Sequence, residues 1–286
     1  MKFVEQHIHG AFGINFMDCE ADDVIKVGEG LFSAGIEEFY PTLMTGKFSQ
    51  IKAQIKKIKE AAFRNEPKCA KIGGIHLEGP FIDAEKKGIH QREYIVKPTV
   101  SAYRELEDDF IKIVTLAPEF DDGLIAYLHE KGVKVSAGHC LATDLSKCDC
   151  ATHLFNAMGG INHKIGGTAL SALLDDNLYV EVIADGNHVC DDVLRLVFKV
   201  KPADKVILIS DALPCVHVKS DFCEFAGTKV FEKNGSFYDA NGTLAGSAML
   251  LPDIAERLAA KGLMSDENIQ KAVYDNPKKY LSGKVG

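Results

Sequence analysis

An α/β chain of eight repeated βα units, closed into a (β/α)8 TIM-type barrel of the metal-dependent hydrolase kind, is the fold this sequence predicts. Three observations predict it. Apolar, β-branched runs alternate with segments of helical period, which is the signature of a parallel sheet built from βα repeats. The count of such runs reaches eight. Six residues able to ligate a divalent metal, His7, His9, Glu78, His139, His153 and Asp211, lie at the ends of these runs, and a barrel gathers all its strand C-termini at one rim.

Strands are expected near Phe3 to Glu5, Glu37 to Tyr40, Lys71 to Leu77, Lys112 to Leu116, Val133 to Ala137, Ala151 to Leu154, Val180 to Ile183 and Val206 to Ile209, each followed by a turn and a helix. Helix candidates include Asp22 to Ser33, Ser49 to Phe63, Thr99 to Phe110, Asp121 to Lys131 and Asp191 to Val200, several opening with a capping or acidic residue. In the second of these, Ile51, Ile55, Ile58 and Ala62 recur at helical spacing, so its lysines face water. Leu250 to Lys261 and Ser265 to Leu281 complete the ring before a short tail ending at Gly286. Between Pro214 and Asn241, short strand-like pieces punctuated by Gly227, Asn234-Gly235 and Asn241-Gly242 predict a β-hairpin excursion after the eighth strand, within one domain spanning residues 1–286.

The composition, 46% hydrophobic and 26% charged over 286 residues, suits one large core. A net charge of -8 and a pI near 5.7 argue against nucleic acid or an anionic membrane as the main partner. No apolar run is long enough to span a bilayer and Met1 to Gly10 lacks a secretory pattern, so a cytoplasmic location is expected. Eight cysteines without a C-x-x-C pair are expected to be reduced thiols and not a zinc knot.

His7-Ile8-His9 sets two imidazoles on one side of an extended segment, because strand side chains alternate. Glu78 precedes the strand-breaking Gly79-Pro80, where a carboxylate can bridge cations. His139 and His153 end successive strands, and Asp211 ends Val206-Ile-Leu-Ile-Ser-Asp211 with no helix behind it to cap. Gly159-Gly160 and Gly166-Gly167 bracket Asn162, His163 and Lys164, a loop in which backbone amides and a cation could approach an anion.

Taken together, His7-Ile-His-Gly10, His76-Leu-Glu-Gly-Pro80, Lys87-Gly-Ile-His90, Leu116-Ala-Pro-Glu119, Ser136-Ala-Gly-His139, Ala151-Thr-His-Leu-Phe-Asn-Ala-Met158, Ala184-Asp-Gly-Asn-His188, Ser210-Asp211 and Gly242-Thr-Leu-Ala-Gly-Ser247 run through nearly the whole chain. This series resembles the N-acetylglucosamine-6-phosphate deacetylases of the amidohydrolase superfamily. The resemblance implies one or two divalent ions, zinc or iron ahead of manganese or cobalt: Glu78, His139 and His153 hold the principal metal, and His7 and His9 hold a second in members that keep this H-x-H pair. It also makes Asp211 the catalytic aspartate, and makes His90, Asn156, Ala157, His188, Leu244, Ala245 and Gly246 substrate contacts.

The implied reaction is hydrolysis of N-acetylglucosamine 6-phosphate to glucosamine 6-phosphate and acetate, by a homodimer whose small-molecule partner is an amino sugar phosphate. Lys164 stands where the family carries an arginine that grips the phosphate across the dimer, keeping the charge without the bidentate fork. Leu213-Pro-Cys-Val-His217 replaces a Gly-containing loop, and the family's accessory β-sandwich is expected to be missing. The competing readings are an amidohydrolase acting on another N-acyl amino sugar or a cyclic amide, and a barrel that binds the sugar phosphate without turning it over.

Overall fold

The structure, a computed structural model, describes residues 1–64, 66–220 and 222–283; the predicted tail at Gly286 lies outside them. Eight parallel strands among the described residues, Phe3–Ile8, Ile36–Met44, Ile75–Glu78, Ile111–Leu116, Lys134–Ala137, Cys150–Ala151, Tyr179–Val182 and Val206–Leu208, pair each with the next in chain order. The sheet curls until the chain beyond the eighth strand meets the first. Asp211 N donates to His7 O at 3.0 Å and His9 N donates to Ala212 O at 3.0 Å, consistent with a TIM-type barrel.

Side-chain parity explains the interior. Val114, Val180, Val182, Val206 and Leu208 join the main core that includes the helices, whereas Ile113, Tyr179, Ile207 and Ile209 on the same strands form a second cluster with Tyr280. Period-two alternation therefore carries Thr115 and Glu181 to the second face. On the outer layer, Ala21–Ser33 buries Val24, Val27, Gly28 and Leu31, and Phe48–Arg64 buries Ile51, Gln54, Ile55, Ile58 and Ala61. Each fully buried isoleucine there contributes about 1.5–3 kcal/mol. Gly28 is required because a Cβ there would stand 2.2 Å from Cys69 Sγ.

Three helix expectations change. The Thr99 to Phe110 segment is helical only over Val100–Arg104: Glu105, Glu107, Asp108 and Asp109 crowd acidic groups at a helix C-terminus, and Asp108 accepts Phe110 N at 2.8 Å in a turn. No helix occupies 138–149, where Asp144 instead accepts Ser146 N at 3.0 Å. Ser265 to Leu281 is broken by a π-turn at Lys271–Asp275; Pro277 has no amide hydrogen with which to bond back one turn.

After the eighth strand the chain forms an antiparallel sheet of Cys223–Phe225, Thr228–Lys233, Ser236–Asp239 and Leu244–Ser247. Lys233 pairs with Ser236 across Asn234-Gly235, whose φ values of 55° and 85° make the tight turn the sequence predicts. The excursion runs on to Ser247, which bonds back through Ser247 N to Asp211 O at 3.1 Å. The expectation of reduced thiols is corrected at Cys215 and Cys223, which are joined as a disulfide with Cα atoms 5.9 Å apart. That separation meets the geometric requirement, and only the folding of the excursion brings the two residues together.

Candidate active site and metal centre

The strand ends deliver their side chains to one point. His139 Nε2 and His153 Nε2 lie 3.1 and 2.9 Å from Glu78 Oε1, and 3.1 Å from each other. His9 Nε2 lies 3.2 Å from Glu78 Oε2 and 3.1 Å from Asp211 Oδ1. His7 Nε2 is 3.5 Å from Glu78 Oε1 and 3.6 Å from Asp211 Oδ1. All six residues are buried.

The backbone is bent to achieve this. His139, His153 and Asp211 have φ of 49°, 30° and 51°, the left-handed region that non-glycine residues seldom occupy. Such conformations cost about 1–3 kcal/mol each and concentrate where function holds them.

Hydrogen-bond logic tests whether a cation fits. His139 Nδ1 faces the Lys86 carbonyl at 2.8 Å, and a carbonyl only accepts, so that nitrogen carries the proton and Nε2 of the neutral ring presents a lone pair. His7 Nδ1 faces Glu181 Oε2 at 3.1 Å, while among the described residues its buried Nε2 has no hydrogen-bond partner. Lone pairs of buried nitrogens and carboxylate oxygens aimed at one space repel unless a cation lies between them. The donor set therefore fits a divalent metal, with Lys86 O and Glu181 fixing the tautomers from behind.

The electrostatics agree. Burial alone would lower His7, but Glu78 and Glu181 together hold it well above the ordinary imidazole range. Burial opposes His9 too, and Asp211 and Glu78 raise it to about 8. Burial would raise Glu78, yet His7, His139 and His153 pull it well below its usual value; Asp211 is lowered against burial by His9 and His7. The cluster holds on to positive charge, which a dication supplies in place of protons. His90 goes the other way, lowered to about 4 by burial and by His139.

A cavity of about 310 Å³ opens onto this cluster, and His90, Asn156, Ala157, His188, Leu244 and Ala245 line it. His90 Nδ1 bonds Thr45 Oγ1 at 2.8 Å, which leaves its Nε2 3.3 Å from Glu78 Oε2. His188 Nδ1 lies 2.7 Å from Asp185 Oδ2. Gly246 is behind the wall, where a Cβ would stand 2.8 Å from Asp211 O. Lys164 is not brought to the cavity: it is exposed on a hairpin closed by Asn162 and Gly166, whose backbones bond each other at 2.8 Å.

No family model matches the chain. An N-acetylglucosamine-6-phosphate deacetylase of Bacillus subtilis is 31% identical over 292 residues, covering 97% of this chain and 74% of that protein. The chain belongs to the N-acetylglucosamine-6-phosphate deacetylase family. Solved members of this deacetylase family agree in shape. The Thermotoga maritima enzyme superposes with a TM-score of 0.90 at 29% identity, covering 98% of this chain and 77% of that one. A mutant deacetylase of Mycobacterium smegmatis, in complex with N-acetyl-D-glucosamine-6-phosphate, gives 0.87 at 26% identity, covering 98% and 77%.

Against this deacetylase family background, the residues the sequence reading missed are the supporting ones. Glu181 alternates with valines in Tyr179–Val182, so the sequence offers no signal that separates it from an exposed strand residue, although the strand is buried throughout. Asp185 sits inside the quoted Ala184-Asp-Gly-Asn-His188 motif and also accepts Ser236 Oγ at 2.9 Å. Met44 and Phe225 line the cavity but belong to no motif of chemistry-bearing residues.

Proposed function

We propose that this chain hydrolyses the N-acetyl group of N-acetylglucosamine 6-phosphate, on a (β/α)8 metal-dependent hydrolase barrel of which the antiparallel sheet is an excursion within one domain over 1–286. The convergence of Glu78, His139 and His153 beside His9 and Asp211 carries the reading. Glu78, His139 and His153 would hold the principal cation and His7 with His9 a second, zinc or iron ahead of manganese or cobalt. A divalent cation held there supplies Lewis acidity, making water nucleophilic near neutral pH and polarising an amide carbonyl.

The chain's own groups do the rest. Asp211 Oδ1 accepts the water proton as the water oxygen adds to the acetyl carbon, then returns that proton to the nitrogen as the C–N bond breaks, giving acetate and the free amine. His90, held by Thr45, orients the carbonyl, and its low proton affinity keeps it a neutral hydrogen-bond donor through Nε2–H. His188, Asn156 and the Ala157 and Leu244 to Gly246 backbone hold the sugar, and Asp185 orients His188.

Lys164 would reach the 6-phosphate of a second copy, so a homodimer belongs to this reading, as does a cytoplasmic site of action. Among the described residues no helix is long and apolar enough to cross a membrane. The test is elemental analysis of the purified protein joined to acetate release from N-acetylglucosamine 6-phosphate, N-acetylgalactosamine 6-phosphate and their unphosphorylated forms. Acetate release fastest from the first supports the reading. Metal-replete protein that releases none from any of them refutes it.

A further inference from the structure

The cavity has a solvent-exposed mouth, half-buried walls that include Ile89, Ala157, Leu244 and Ala245, and a mostly ionic floor. Thr243, Glu85 and Gly88 at its edge are exposed, whereas His9, Glu78, His153 and Asp211 at its base are buried. Among the described lining residues that are buried, Met44 and Phe225 are the apolar ones. Phe225 is 1% exposed, and its ring centroid lies 5.3 Å from that of His9, whose Nε2 is 3.1 Å from Asp211 Oδ1. Met44 pairs in register with Glu78 on the neighbouring strand.

A substrate whose scissile carbonyl sits against Asp211 must send its bulky sugar phosphate outward, toward the mouth. Its acyl carbon chain is then left at the floor, where Met44 and Phe225 offer the apolar contact. The Phe225 wall is also held in place from two directions. Cys223, two residues before it, is bonded to Cys215 on the loop that follows Asp211. Gln91 Nε2 from the opposite side donates to Ala226 O at 3.0 Å, and Gly227 admits Gln91 because a Cβ there would stand 2.4 Å from its Nε2. These two attachments tie the Phe225 wall to the barrel.

We propose that Phe225, backed by Met44, is a specificity-determining residue that sets the length of the acyl group this site removes. The inference rests on the deacetylase reading above and deepens it to the acyl side of the substrate. Removing the ring opens space at the floor and leaves every candidate ligand and Asp211 in place, but it also removes the ring contact to His9, so metal content is measured on each variant.

The test measures kcat/KM for the N-acetyl, N-propionyl and N-butyryl derivatives of glucosamine 6-phosphate with the wild type, Phe225→Ala and Phe225→Leu, each checked for metal content and thermal unfolding. In the wild type each added methylene should cost roughly tenfold or more, the usual scale for a hydrophobic pocket. Phe225→Ala should raise the butyryl-to-acetyl ratio at least about tenfold, with Phe225→Leu intermediate; Leu carries the test if the Ala variant does not fold. A merely structural role lowers all three substrates together, and an unchanged ratio in an active, folded variant overturns the proposal. A wild type inactive on all three overturns the deacetylase reading itself, and this inference with it, which distinguishes the two failures.

Discussion

Glu181 and His7 stand 174 residues apart in sequence, yet Glu181 Oε2 lies 3.1 Å from His7 Nδ1 and its other oxygen accepts Gln6 Nε2 at 2.7 Å. The carboxylate thus fixes the imidazole proton on the side away from the cluster. Glu181→Gln keeps the shape but weakens that hold, and metal affinity should fall about 10- to 100-fold. Competition with a chelator measures it. Unaltered affinity would mean that Glu181 only fills the barrel interior.

Asp211→Asn retains size and most contacts but cannot carry a proton between water and amine. Turnover should fall by about 10²- to 10⁴-fold while fold and metal content persist. Circular dichroism, elemental analysis and acetate release on the same preparation separate these quantities. Near-normal turnover removes Asp211 from the proton path.

Lys164→Ala should raise the apparent KM for a phosphorylated substrate and leave the unphosphorylated sugar nearly untouched, since a contact made equally in ground and transition states acts on binding. Lys164 is exposed and does not line the cavity of its own chain. The proposed reading assigns the contact to a second copy, so light scattering at assay concentration should report a dimer. Parallel changes for both substrates detach Lys164 from the phosphate.

Lys201 gives a pH signature remote from the site. Its ammonium donates to the carbonyls of Ala172, at 2.8 Å, and Asp175, at the C-terminal end of Thr168–Leu174, yet burial depresses its pKa from 10.5 to about 8. Between those values the unfolded chain binds a proton that the folded chain has released, so this group's contribution to stability rises with pH from about 8 to 10.5. Below that window the buried charge is a standing penalty. Lys201→Met should flatten this part of the stability–pH curve, measured by urea unfolding; near neutrality it removes the buried-charge penalty, against which the unpaired Ala172 and Asp175 carbonyls cost about 1 kcal/mol. An identical slope in the two proteins would falsify the assignment.

Much of this was legible in the residues. Apolar, β-branched runs located all eight strands, and the candidate ligands followed because each closes such a run: Glu78 before Gly79-Pro80, Asp211 after Val206 to Ser210. What stayed hidden depends on contacts between distant segments. Glu181 alternates with valines as an exposed strand residue would, and only closure of the sheet puts both faces out of water. Cys215 and Cys223 follow no spacing rule and meet only once the excursion folds. Phe225 lies between exposed or half-buried neighbours, Glu224 and Ala226 to Lys229, and reads as surface until its strand is laid across the barrel mouth.

The left-handed turns at His139, His153 and Asp211 set selection for robustness against selection for chemistry. Glycine relaxes each of these backbones without steric cost, so a library screened only for heat resistance should drift toward glycine there. Its winners would be hardier proteins stripped of two candidate ligands and of the proposed proton carrier.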